Sequence, residues 1–146
     1  TCNFDETGLQ SIINDVKKNY SAADKFFITG FEAGTHLVWA MVFQHPELLY
    51  AAAPVAGNYR GRCIDNTSFS TDASRTHLSI KNFTGSDDKD FGVNGRFYNQ
   101  YLEAKNLAIS HRYKNISEKE VQGKGHVLLP QEVLSYFNSV WESIKK

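Results

Sequence analysis

Three stretches of this chain hold side chains that could do chemistry at points where the backbone turns. The first runs from Lys25 to Gly34, Lys-Phe-Phe-Ile-Thr-Gly-Phe-Glu-Ala-Gly. A β-type run from Phe26 to Thr29 meets Gly30-Phe-Glu-Ala-Gly34, and a helical pattern of His36, Leu37, Ala40, Met41 and Phe43 follows at once. Strand, tight turn and helix are the layout in which Gly-x-Ser-x-Gly lifts one side chain above a sheet on a strained turn. The lifted residue here is Glu32. A serine in that seat attacks an acyl carbon as an imidazole takes its proton. A carboxylate at neutral pH has no proton to give up and is a poor nucleophile toward esters. The second stretch, Gly85-Ser-Asp-Asp-Lys-Asp90, crowds carboxylates into a turn, and the third, Gly123-Lys-Gly-His126, presents an imidazole between glycine-flanked turns and a closing helix. The spacing Gly-x-x-x-x-Gly-Lys-Ser/Thr of a phosphate loop is absent.

The elements that must position these residues are legible in outline. Leu9, Ile12, Ile13, Val16 and Tyr20 fall at helical spacing, with Thr7 and Gln10 as a capping box. The helix after Gly34 is expected to stop near Gln44, before Pro46. Residues 50–56 read as a buried strand of small residues, and 58–75 as an irregular, polar excursion that is either the rim of a binding site or a solvated loop. Residues 77–84 and 109–116 alternate as strands, the latter with Ile109, His111, Tyr113 and Asn115 on one face. Helices are expected over 95–107 and 130–145, the last with Val133, Leu134, Phe137, Val140, Trp141 and Ile144 on its inner face. Strands alternating with helices give an α/β fold, four mainly parallel strands flanked by helices. Ligands of such sheets sit at the carboxyl ends of the strands, which is where Glu32, the Asp87/Asp88 turn and His126 fall. His36, His45, His77 and His111 lack converging partners in the sequence and are read as packing residues.

With 146 residues, the chain suits one domain with one core. Lys and Arg balance Asp and Glu at 16 each, so no basic face points to nucleic acid. No apolar run approaches the roughly 18 residues of a membrane span. The chain opens on Thr1 without Met, as expected of a processed, trimmed or partial protein. Sequons at Asn19, Asn66, Asn82 and Asn115 fit a secreted or periplasmic protein, although Asn82 falls inside an expected strand. Cys2 and Cys63 either pair or stay free.

The motifs taken in order, Asp24 to Gly34, His45-Pro-Glu-Leu48, Ala51-Ala-Ala-Pro-Val-Ala-Gly57, Gly85-Ser-Asp-Asp88 and Gly123-Lys-Gly-His126, resemble the C-terminal half of an α/β-hydrolase. The chain looks most like the secreted feruloyl and acetylxylan esterases and the polyhydroxyalkanoate depolymerases. The resemblance implies that residues 1–146 are a single, partial domain lacking the N-terminal strands, and that 26–30, 50–56, 77–84 and 109–116 are the last four strands of an eight-stranded sheet. It puts Glu32 in the nucleophile seat, Asp88 in the acid seat with Asp87 as a rival, and His126 in the histidine seat. The backbone N–H of Ala33 would be one oxyanion donor, while the other comes from a loop after an earlier strand that these residues do not include. No cofactor or metal is implied, since the triad accounts for the residues that could otherwise bind a divalent ion.

Three functions stay open on this reading. One is an esterase-like protein impaired by Glu32. Another is an active hydrolase, using a carboxylate nucleophile as some relatives of this fold do with Asp, using Ser86, or completed by a second chain. The last is a non-catalytic protein that binds a small ester, sugar or phenolic ligand. With Glu32 and Asp88 both beside His126, the imidazolium is expected to be favoured and to pair with Glu32. The strand at 26–30 would otherwise be an apolar edge, so a second polypeptide is expected to complete the sheet.

Overall fold

The computed structural model describes residues 2–59 and 68–146. The question whether Cys2 and Cys63 pair, and the Asn66 sequon, lie outside the described residues. Helix α1 (Cys2–Tyr20) leads to strand β1 (Phe26–Phe31), a short 3-10 turn (Glu32–Gly34) and α2 (Thr35–Gln44). Strand β2 (Leu49–Val55) is followed by β3 (Ser79–Gly85), α3 (Tyr98–Ser110), β4 (Ile116–Val121) and α4 (Pro130–Ile144). The four strands form one sheet in the order β1-β2-β3-β4, every pair parallel.

Two cores follow from the two faces of this sheet. On one, α2 packs so deeply that Val38 through Phe43 are all essentially inaccessible, joined by Leu49, Ile80, Tyr101, Ala104 and Tyr113. A helix apolar on every side belongs inside a fold, and α2 fits because α1 covers its outer flank while β1 and β2 lie beneath it. The Tyr113 hydroxyl donates to the Val42 carbonyl, closing this core from the far side. On the other face, α4 sets Val133 and Tyr136 against Ala51, Ala53, Val55 and Phe83. The alanines of β2 let helices approach the sheet from both sides. Pro54 has no N–H to give, and the β2–β3 pairing passes from Ala52↔Ile80 to Val55↔Phe83 without pairing at 53 and 54.

Several boundaries differ from the sequence reading. The first helix starts at Cys2, so Thr7 is interior and caps nothing; its carbonyl accepts from Ser11 Oγ. His77 caps a 3-10 turn (Ala73–Thr76) and precedes β3. The fourth strand is 116–121 and not 109–116. Ile109 and Ser110 finish α3, and Arg112, at φ 70°, turns the chain toward β4. The true strand, Ile-Ser-Glu-Lys-Glu-Val, is a sheet edge whose middle residues face water, and such a strand carries little apolar alternation. His111 therefore lies at a helix end, stacked 4.0 Å from Phe69. In α4, Leu134, Trp141 and Ile144 remain 66%, 40% and 48% exposed, so the expected inner face is only partly buried.

Asn82, in the middle of β3, is fully buried, and neither its Oδ1 nor its Nδ2 has a hydrogen-bond partner. A glycan cannot be attached at a fully buried asparagine. An unpaired buried amide costs about 1–3 kcal/mol, so Asn82→Leu, which keeps the volume and removes both polar atoms, should raise the melting temperature. The expected gain is roughly 2–4 °C per kcal/mol recovered, read by differential scanning calorimetry. A lower melting temperature would show that the amide is satisfied in solution.

Candidate active site

The elbow forms because the backbone has room in one place and is pinned in another. Glu32 sits at φ 48°, in the left-handed region that non-glycine residues rarely occupy. Gly30 makes this turn possible, since a Cβ there would stand 2.6 Å from the Gly34 carbonyl oxygen. Gly34 itself has φ −63° and open space around it, so its role is not conformational. Thr35, fully buried, donates from Oγ1 to the Glu32 carbonyl at 2.6 Å and accepts from the Asn58 N–H at 2.7 Å. One hydroxyl thus fastens the elbow to the loop after β2. Ala33 lies in the same 3-10 turn at the mouth of α2.

The other two loops are zipped together. Asp87 N–H donates to the Lys124 carbonyl at 2.8 Å, Ser86 N–H to the Val121 carbonyl at 2.9 Å, and Gly123 N–H to Ser86 Oγ at 2.8 Å. Gly85 permits this, since a Cβ would collide with the Lys124 and Gly125 carbonyls. The result brings Asp88 Oδ2 to 2.9 Å from His126 Nδ1, while His126 Nε2 lies 3.3 Å from Glu32 Oε2. Asp88 is buried, and its other oxygen accepts the N–H groups of Asp90 and Phe91 at 2.9 and 3.0 Å. The two ring nitrogens face opposite ways, so the three residues do not converge on one cation.

The electrostatics follow from these contacts. Burial works against the Asp88 carboxylate, but the Phe91 N–H, the His126 ring and the Asp90 N–H outweigh it and hold the pKa below the ordinary 3.8. Burial likewise works against the His126 cation, and the hydrogen bonds and charges of Asp88 and Glu32 outweigh it, raising the pKa above 6.5. Two aromatic rings hold the imidazole: Phe91 stacks on it at 5.4 Å and Phe31 leans on it at 4.8 Å. A cation over an aromatic face gains further stabilisation. Phe91 therefore serves both partners, its N–H on Asp88 and its ring on His126.

Of the residues singled out in the sequence, Glu32, Asp88 and His126 meet. Asp87 is exposed and bonded by Ser86 Oγ at 3.1 Å, away from the imidazole. Ser86 is engaged by Asp87 and Gly123. His45 joins α1 to the end of α2 through Glu6 Oε1 at 2.9 Å. Sequence reasoning missed Thr35, Phe31 and Phe91. A threonine directly after the second glycine was visible, but its partner Asn58 in the loop after β2 was not.

No family model matches the chain, and no curated protein matches it by sequence. Solved structures do match. SOBER1 of Arabidopsis thaliana superposes with a TM-score of 0.71 at 18% identity, over 100% of this chain and 65% of that one. The carboxylesterase of Bacillus cereus gives 0.68 at 15% identity, over 97% of this chain and 61% of that one. The protein FAE gives 0.58 at 19% identity, over 86% and 53%. The four-stranded parallel sheet with its flanking helices has the fold of the α/β-hydrolases. More particularly, its structural neighbours include a carboxylesterase and a thermostable esterase, and the chain spans less than two thirds of the length of SOBER1, the carboxylesterase and FAE.

The site should declare itself in a pH titration followed by NMR. His126 is expected to titrate above 6.5, and Glu32→Gln, which removes one carboxylate, should lower that value. The stability His126 contributes is complete below 6.5 and fades as pH rises through its folded pKa. That of Asp88 is complete above 3.8 and fades as pH falls through its folded pKa. Their joint contribution is therefore greatest between those two reference values. A His126 that titrates at or below 6.5 would contradict the arrangement.

Proposed function

We propose that these residues form the site-bearing part of an esterase-like α/β-hydrolase whose ester hydrolysis is lost or very weak because Glu32 occupies the nucleophile position. In this reading Asp88 orients His126, His126 stands where the general base of an esterase would act, and the Ala33 N–H supplies one oxyanion donor. The observation that carries the reading is the ion pair between Glu32 Oε2 and His126 Nε2 at 3.3 Å. In an active esterase that nitrogen accepts the serine proton. Here Glu32 offers no proton and favours the protonated imidazole, which cannot act as a base.

Attack of the Glu32 carboxylate on an ester would form a mixed anhydride and expel an alkoxide. The alkoxide is much the better nucleophile and returns the ester. Attack on an alkyl carbon would instead form a glutamyl ester that water must cleave. That route consumes the Glu32 charge, so in the intermediate only Asp88 would still favour the His126 cation. Retained binding of a small ester, sugar or phenolic ligand is compatible with the loss of turnover.

Hydrolysis of p-nitrophenyl acetate tests this reading. The protein itself should hardly exceed the buffer rate. Glu32→Ser should exceed it by about 100-fold or more, the lower end of what a positioned general base contributes. Adding His126→Ala to Glu32→Ser should remove the gain. Turnover by the unmodified protein that His126→Ala abolishes would overturn the reading, whereas a folded but inactive Glu32→Ser protein would point to the oxyanion donor that these residues do not include.

A further inference from the structure

Glu32 and His126 stand at the carboxyl ends of the strands. The amino ends carry a second hollow. A cavity of about 700 Å³ opens there, between the link that leads into β1, the start of β2, the turn before β3 and the last turn of α4. Small-molecule sites fall in the range of about 300–1,000 Å³.

The buried part of the lining is apolar. Leu49 and Leu78 are 3% and 4% exposed, and both belong to the core beneath α2. Tyr50, set edge-on to Trp141 at 5.6 Å, and the half-exposed Ile144 extend this surface outward. The exposed part is polar, and the way its groups are engaged gives it a sign. Asp24 is drawn to Lys17 at 3.9 Å. Asp72, close by in the chain, accepts the Ser74 N–H at 2.8 Å. Lys25 and His77 also line the cavity, and among the described residues Lys25 forms no ion pair and the His77 ring no hydrogen bond. Ser74 lines it too. Its hydroxyl is buried with no hydrogen-bond partner, so turning it toward a ligand breaks no bond.

We propose that this cavity is a binding site for a small amphipathic carboxylate, with the apolar chain against Leu49, Leu78 and Tyr50 and the carboxylate at Lys25 and His77. The apolar lining gives nothing to a small hydrated anion, which would lose water there without compensation. One unengaged ammonium matches one negative charge, whereas a phosphate dianion would carry a second charge unmatched beside Asp24 and Asp72. An uncharged chain would leave Lys25 and His77 without a partner. The site lies at the opposite end of the strands from Glu32, so the proposal stands apart from the hydrolase reading and needs no turnover.

The test titrates the 15N-labelled 146-residue protein with sodium hexanoate and follows the backbone amides by NMR. Saturable shifts are expected around Lys25, Leu49 and Leu78. Heptanoate should bind about fourfold more tightly, the effect of burying one more CH₂. Hexan-1-ol, which keeps the chain and loses the charge, should bind about fivefold more weakly, the upper end for an exposed ion pair. Lys25→Glu, an exposed substitution that the fold should tolerate, should weaken hexanoate binding at least about tenfold, the effect of 1.4 kcal/mol. Lys119→Glu on β4 should leave it unchanged. The absence of saturable shifts, shifts centred on His126, or an affinity indifferent to Lys25→Glu would overturn the proposal. So would hexan-1-ol binding as tightly as hexanoate, since the hollow would then be apolar and nothing more.

Discussion

A histidine ring held between two carboxylates is the constraint around which the loops of this protein are arranged. Asp88 can remain ionised while buried only because two backbone N–H groups and one imidazole nitrogen satisfy it. Those N–H groups come from the turn that Asp88 itself begins, so the acid and its support form one local unit. The imidazole comes from a loop 38 residues later. The contacts among Ser86, Asp87, Gly123 and Lys124 make that long-range approach reproducible. Loss of any of these would cost Asp88 its compensation before it cost the fold its core.

The parallel sheet explains why such distant residues converge. Each strand runs in the same direction, so the turns after β1 and β3 and the loop after β4 emerge at one end. The rigid part of the device is the pairing β1–β2–β3–β4 and the buried helix α2, and the loops only aim the side chains. Phe31 and Phe91 show this economy. Phe31 is the last residue of β1, Phe91 belongs to the Asp88 turn, and both rings meet His126.

Much of this was readable in the chain, and the unread parts have physical causes. The elbow was legible because a β-type run, a Gly-x-x-x-Gly turn and an apolar helix leave few alternatives for residues 26–44. The choice of Asp88 over Asp87 came from the resemblance alone, since in the residues themselves it depends on which carboxylate the turn points inward. The fourth strand was misplaced because apolar alternation marks half-buried strands, and β4 lies at an edge with Glu118, Lys119 and Glu120 in its middle. Residues 109–116 alternate for another reason: they pass from the last turn of α3 into a link anchored by Tyr113. The partners of Thr35 are set by tertiary approach, to which local periodicity is blind.

The elbow also explains how a glutamate can sit at the tip of a strained turn without the rest of the site dissolving. The positive φ of Glu32 costs on the order of 1–3 kcal/mol, which its half-exposed ion pair with His126 offsets only weakly. The offset lies in the backbone around it: the close approach of Gly30 to Gly34 and the hydroxyl of buried Thr35 on the Glu32 carbonyl. The seat is therefore specified by residues 30 and 35 and by the pairing of β1 with β2. The resident side chain is a guest of that geometry. Exchanging it changes the chemistry at the tip of the turn while the strand, the helix and the direction of the side chain stay as they were. The Asp88–His126 pair, anchored on β3 and β4, is indifferent to the exchange except through charge. A carboxylate at the tip draws the imidazole into an ion pair, and the turn, the two aromatic rings and Asp88 together hold it there.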